Sequence, residues 1–358
     1  MVDDGMLANN NGVTGELDSG MIQAISGPQT SEEKLAETYV ARRVIEKMCN
    51  GALRFSEFET GEAMIGLANQ RNGERLPEIY ILDTISPAEG TVREWGMFEQ
   101  GDDWQSSIIN WWNQNWELYR QIRAQSYGNA AAAKWDMPLV HLGDWHKQPG
   151  QMIAPSRGDL RTARNMMRDL ERDYILAPIV TLTDADDTPG TNSLIVETPS
   201  AYIRIDFWWL GRRANGFQPL QPLVKSNAFF PRLPPVAWWL ERRERFDEEI
   251  ATLEADGLQV MDIKMWDTRG HPPLETCLTL YRPGSRWVII AVTSVNYPFR
   301  PPQWRVAPIM RPKEDEDLFE LLFQASSEIS EETLPEWRAS MRLVDVVNII
   351  EKKQRETS

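Results

Sequence analysis

The sequence predicts an α/β domain followed by an α+β domain, and three observations predict it. The chain of 358 residues is longer than a single core usually fills. Helical and strand-like stretches interleave up to about residue 225. Beyond a proline-dense stretch, FQPLQP through RLPPV, the order becomes helix, strand meander, loop and helix. The expected division is a flexible tail over 1–30, a first domain over 31–225, a linker over 226–237 and a second domain over 238–354.

The tail is rich in Asn, Gly, Ser and Asp and too poor in apolar residues to offset its ordering entropy. Ser31 followed by two glutamates reads as a helix start, with Leu35, Tyr39, Val40, Val44 and Met48 at helical spacing. EAMIGL and EIYILDTIS read as strands. Residues 102–125 read as a helix carrying Trp104, Ile108, Trp111, Trp112, Trp116 and Tyr119. MPLVHLGDWH is a predicted strand and RTARNMMRDLERD a predicted helix. APIVTLTD, SLIVETP and AYIRIDFWWLG are strands by their β-branched and aromatic content. In the second domain WWLERRERFDEEIATLEAD is a helix, and QVMDIKMWD, ETCLTLYRP and RWVIIAVTSV form the meander. NYPFRPPQWRV reads as a rigid, exposed segment leaving a strand. KEDEDLFE reads as a solvated acidic face or loop, and a last helix runs from about Leu334 to Lys353.

Composition narrows the function. A net charge of −15, with basic residues scattered among acidic ones, argues against nucleic acid as a partner. No stretch approaches a membrane span of about 18 apolar residues, and the N-terminus lacks the pattern of a signal peptide. Two cysteines, Cys49 and Cys277, are too few for a disulfide framework and read as buried small hydrophobes. The expectation is a soluble cytoplasmic protein. The pairs Trp111–Trp112, Trp208–Trp209 and Trp238–Trp239 read as packing of cores and of the seam between domains.

Candidate chemistry gathers in HLGDWHKQPGQMIAPSRGDL. Strand alternation projects Asp144, His146 and Gln148 to one side. Asp159 stands at the mouth of the next helix with Ser156 three residues before it, and Glu59 comes from a separate element. A histidine, a carboxylate, a hydroxyl and a distant glutamate are the components of metal-assisted hydrolysis. With only three histidines in the chain a His-rich metal site is excluded, and from chemistry alone an ordinary structural histidine is the stronger reading.

The arrangement resembles the JAMM (JAB/MPN) metalloprotease motif. In that family a glutamate in a stretch like ETGG-x-L-x-G precedes GxxHxHP, and S-x-x-D follows. Here ETGEAMIG supplies Glu59 and Gly66, GDWHKQP supplies Gly143, His146 and Pro149, and SRGD supplies Ser156 and Asp159. The resemblance covers roughly residues 35–225 and implies a cytidine-deaminase-like layered sheet with helices. It further implies Glu59 as general base, His146 and Asp159 as ligands of one zinc ion, and Ser156 as a donor to the oxyanion. Gln148 stands where the family has its second histidine ligand, and an amide oxygen is a poorer zinc ligand than imidazole. Asp144, sharing a face with His146, is the candidate substitute ligand.

The second domain resembles ubiquitin-conjugating enzymes and their relatives through YPFRPP, the preceding meander and the tryptophan-led helix LPEWRASMRLVDVVNIIE. That resemblance implies an antiparallel meander flanked by helices. The family's thioester needs a cysteine, yet neither cysteine nor histidine occurs between Gln303 and Trp337. Cys277 lies upstream and reads as core. Phe299 and Trp304 are the candidate partner-binding aromatics. An unrelated α+β module with a coincidental YPFRPP stays open, and a parallel crossover in its sheet would favour it.

Together the resemblances imply a zinc isopeptidase or peptidase acting on a ubiquitin-like modifier. The second domain would bind substrate, or the pathway's activating or conjugating enzymes. The alternative is a catalytically inactive scaffold of the same pathway. Retention of Glu59, His146, Ser156 and Asp159 tips the expectation towards the enzyme.

Overall fold

The computed structural model describes residues 37–69, 76–88, 90–95, 97–100, 103–126 and 135–357. The expected tail, and the expected helix start at Ser31 with Leu35, lie outside them. Eighteen strands follow in chain order among the described residues: β1 Thr38–Ala41, β2 Thr60–Asn69, β3 Glu78–Ile85, β4 Val92–Glu94, β5 Met97–Glu99, β6 Leu139–Lys147, β7 Tyr174–Leu176, β8 Ile179–Thr183, β9 Ser193–Glu197 and β10 Tyr202–Asp206, then β11 Trp208–Gly211, β12 Gln218–Pro219, β13 Pro222–Lys225, β14 Gln259–Trp266, β15 Glu275–Tyr281, β16 Trp287–Thr293, β17 Gln303–Pro308 and β18 Ser327–Glu328. The α-helices are α1 Arg42–Arg54, α2 Asp103–Ser126, α3 Arg157–Asp169, α4 Trp238–Glu241, α5 Arg243–Ala255, α6 Leu318–Ala325 and α7 Leu343–Thr357.

The mixed α/β class predicted for the first unit is observed. Eleven strands form one mixed sheet in the order β12-β11-β7-β6-β2-β3-β1-β13, with β8 joining β6 to β10 and β9 beyond it. Residues Thr38–Ala41, expected inside the first helix, are instead a strand running parallel to both β3 and β13. Their β-branched and aromatic side chains suit a sheet position, and sheet pairing overrides the helical spacing that continues into α1. The other end of that pairing is also a correction. Pro222–Lys225, in the proline-dense stretch, closes the sheet edge, and Pro222 begins the strand where a missing donor is tolerated.

Strand alternation divides β6 between core and site. Trp145 is fully buried, so close beneath α1 that a Cβ on Gly51 would lie 2.8 Å from its ring. Its neighbours Asp144 and His146 face the other way. At Gly143 φ is +126°, and a Cβ there would lie 2.1 Å from the Leu176 carbonyl oxygen, so glycine is required for β7 to approach β6. The β2–β6 register shifts one residue pair further on, between Met64 and Ile65.

The second unit is a meander, β14-β15-β16-β17-β18, antiparallel at every pairing, without a parallel crossover. Both faces of this sheet are covered. Leu278, Leu280, Ile289 and Ala291 pack with Leu253 of α5 and with Leu343, Val347 and Ile350 of α7. Cys277, Val288, Ile290 and Val292 pack with Phe319 and Leu322 of α6. Three expectations are corrected here. The long first helix breaks at Arg242, whose φ of −133° and ψ of 61° are not helical. The second half of NYPFRPPQWRV is strand β17, so Trp304 points into the core. The last helix begins at Leu343 rather than near Leu334, because a residue before proline (here Pro335) is pushed towards extended backbone.

The units meet along α2. Trp111 and Trp112 donate their indole N–H groups to the carbonyls of Pro235 and Pro234, each at 2.9 Å. Asn115, fully buried, accepts from the Leu274 amide at 2.7 Å. No helix among the described residues is long and apolar enough to cross a membrane.

Candidate functional site

The fold brings Glu59, His146, Gln148 and Asp159 into one partly buried cluster from three separate stretches of chain, with Ser156 exposed at its edge. The backbone of β6 carries on beside β8, with His146 N–H donating to Pro178 O at 3.1 Å and Gln148 N–H to Val180 O at 3.0 Å. Those bonds hold 146 and 148 on the same side. The chain then loops away, tied down by the Trp208 indole donating to Ile153 O at 2.9 Å, and returns at Ser156.

Ser156 starts α3 with a capping box. Its Oγ accepts from Gly158 N–H at 3.1 Å and Asp159 N–H at 3.2 Å, and Asp159 Oδ2 accepts from Ser156 N–H at 2.6 Å. Asp159 thereby has a fixed rotamer pointing back at β6. Its other oxygen lies 3.5 Å from His146 Nε2. Burial disfavours the Asp159 carboxylate, yet the bond and charge of His146, with the Ser156 donors, prevail. They hold it well below the usual carboxylate range.

Glu59 sits at the head of β2 with its N–H bonded to Glu94 O of the β4–β5 hairpin at 2.9 Å. Burial raises its carboxyl above the ordinary value; His146 opposes that shift, Asp159 adds to it and Lys147 opposes it. Lys147, which the sequence reading passed over, explains how Glu59 is held. It is 2% exposed and donates through Nζ to the carbonyls of Ser56 at 2.8 Å and Phe58 at 3.1 Å. The signal available in the sequence was a lysine at a position where strand alternation points into the core.

Gln148 is 4% exposed. Its amide nitrogen lies 3.1 Å from His146 Nε2 and 3.2 Å from Asp159 Oδ2, while its oxygen is buried with no hydrogen-bond partner. Asp144 is not available to replace it: its carboxylate meets His141 Nε2 at 2.7 Å. Among the described residues no group of three or more His, Cys, Asp or Glu side chains is placed to hold a metal ion. A catalytic zinc site uses three protein ligands. Here two are present, and the third position turns an N–H towards them, so the donor set does not fit zinc.

In the second unit, Phe299 is 67% exposed with the Arg242 guanidinium 4.4 Å from its ring centre. Trp304 is 2% exposed and belongs to the core, so it cannot be a contact residue. Cys277 is also core. Burial, with Glu275 adding, pushes its thiol far above the ordinary value, and no thiolate forms there. Tyr297 of the YPF segment is buried and donates to Glu249 Oε1 at 2.5 Å.

No family model matches the chain, and no curated protein matches it. Among solved structures, the solution structure of protein DSY2949 from Desulfitobacterium hafniense is similar over 53% of this chain and 93% of that one. The identity is 12% and the TM-score 0.27, too low to equate the folds.

Proposed function

We propose that this chain is a non-hydrolysing binding protein of a ubiquitin-like conjugation pathway. Its first unit would be a JAMM-like domain that engages the modifier, and its second a conjugating-enzyme-like domain that gathers partners without forming a thioester. The observation that supports the reading most is the meeting of Glu59 with His146 and Asp159, which lie far from it in sequence, in one cluster. The antiparallel meander with helices on both faces supports the second half. The shortage of metal ligands in one unit, and of a nucleophile between Gln303 and Trp337 in the other, favours binding over turnover.

One observation favours the hydrolase reading instead. Glu59 has a raised pKa and faces His146 and Asp159, as a proton acceptor for a bound water would. Incubating the chain with ubiquitin-like proteins, free and fused at their C-termini, separates the two. The expected result is saturable binding by calorimetry with the fusion left intact. Cleavage that disappears in Glu59→Ala would establish the hydrolase, and an absence of both binding and cleavage would end both readings.

A further inference from the structure

His146, Gln148 and Asp159 form a set whose hydrogen bonds can be assigned from donor chemistry. An amide nitrogen has two hydrogens and accepts nothing. With Asp159 Oδ2 at 3.2 Å and His146 Nε2 at 3.1 Å, one hydrogen goes to each. In the neutral imidazole this assignment places the proton on Nδ1 and leaves the Nε2 lone pair pointing at the amide. Turning the amide round would set Gln148 Oε1 against Asp159 Oδ2, acceptor against acceptor, so the chemistry selects the direction observed.

The same assignment accounts for the orphaned oxygen. Leaving a buried polar atom without a partner is costly, and Gln148 Oε1 is such an atom. That cost is tolerable where the nitrogen end gains bonds to an anionic oxygen and an imidazole lone pair. Those two lone pairs are the ones a divalent cation would take. His146 Nε2 and Asp159 Oδ1, 3.5 Å apart, are close enough that something must neutralise or bridge them.

We propose that the Gln148 amide stands in for a cation in this pocket, bridging His146 and Asp159 through its two N–H bonds. The site is therefore complete without metal, and the side chain at 148 decides whether it binds one. This inference rests on the pocket described for the binding reading but not on any partner. Failure to bind a ubiquitin-like protein leaves it standing, and its own failure leaves partner binding untouched.

Zinc content and thermal unfolding test it on the full chain purified without chelators. Wild type is expected to carry well under about 0.1 zinc per chain and to unfold at the same temperature with EDTA or added zinc. Gln148→His supplies a third ligand and is expected to carry about one zinc per chain, with EDTA lowering its Tm by several degrees, roughly 5 °C. Gln148→Glu sets a carboxylate against Asp159. Its Tm in EDTA is expected to fall below wild type and to recover with zinc. Wild type holding about one zinc per chain would overturn the proposal. So would a folded Gln148→His that binds none. If Gln148→His does not fold, Gln148→Glu decides: a Tm in EDTA equal to that of wild type overturns the bridge.

Discussion

Each unit contains a buried or half-buried carboxylate whose pKa burial raises, and the two clusters differ in what surrounds that carboxylate. Around Glu249 the set is closed. The residue is 0% exposed, accepts from Tyr297 Oη at 2.5 Å and Leu343 N–H at 2.8 Å, and pairs with Arg245. Around Glu59 the set is open: the side chains of His146 and Asp159 retain 15% and 25% of their exposure. Both clusters join parts of the chain that are distant in sequence, residues 249, 297 and 343 in one and residue 59 with residues 146–159 in the other. The difference teaches that convergence alone does not make a site. The Glu249 network ties α5, the YPF segment and the start of α7 into one core. The Glu59 cluster leaves its polar side chains partly exposed to solvent.

The largest effect that would sharpen this contrast is expected at Glu249. Glu249→Ala leaves the Arg245 guanidinium with its charge uncompensated and two donors without an acceptor. Breaking such a pair costs about 3–5 kcal/mol. Urea unfolding followed by tryptophan fluorescence should show a loss of that size. A loss under about 1 kcal/mol would mean that the network is not structural, and the contrast with Glu59 would fail.

The next effect is expected at Ser156, whose hydroxyl caps α3 and orients Asp159. Ser156→Ala should cost about 1 kcal/mol, read by the same measurement, whereas Ser156→Asp should restore most of it. If Ser156→Ala leaves stability unchanged, the capping box does not set the Asp159 rotamer and the open cluster is less ordered than its geometry implies.

Much of this pocket was legible beforehand because local rules govern its parts. Strand alternation places 144, 146 and 148 together, and S-x-x-D before a helix is a capping signature whatever the fold. What was not legible depends on partners distant in sequence. Thr38–Ala41 is a strand because β3 and β13 flank it, and nothing within its own helical spacing announces them. Asp144 does share a face with His146 by alternation. The glycine at 143 and the nearby register shift, however, bring His141 to it, and that hydrogen bond removes Asp144 as a metal ligand. Trp304 reads as exposed beside three prolines until β17 is paired with β16, and pairing sends it inward. The break at Arg242 and the role of Lys147 likewise follow from packing between elements.

The smallest effect separates Asp144 from the metal question by pH. Burial alone would lower the His141 pKa, but the charge and hydrogen bond of Asp144 outweigh it, with the Gly143 backbone adding, and the result is raised. A folded-state pKa above the unfolded one means that the pairing stabilises fully below the unfolded value. Its contribution is lost as pH rises through the folded value. Wild-type stability should therefore decline as pH rises above the ordinary histidine value of about 6.5 by more than that of Asp144→Asn, which cannot hold the imidazolium. The difference between the two slopes isolates this pair from other titrating groups. Parallel slopes would mean that Asp144 does not hold His141 in solution. The carboxylate would then be free to turn towards His146, and the open cluster would have a third charged member after all.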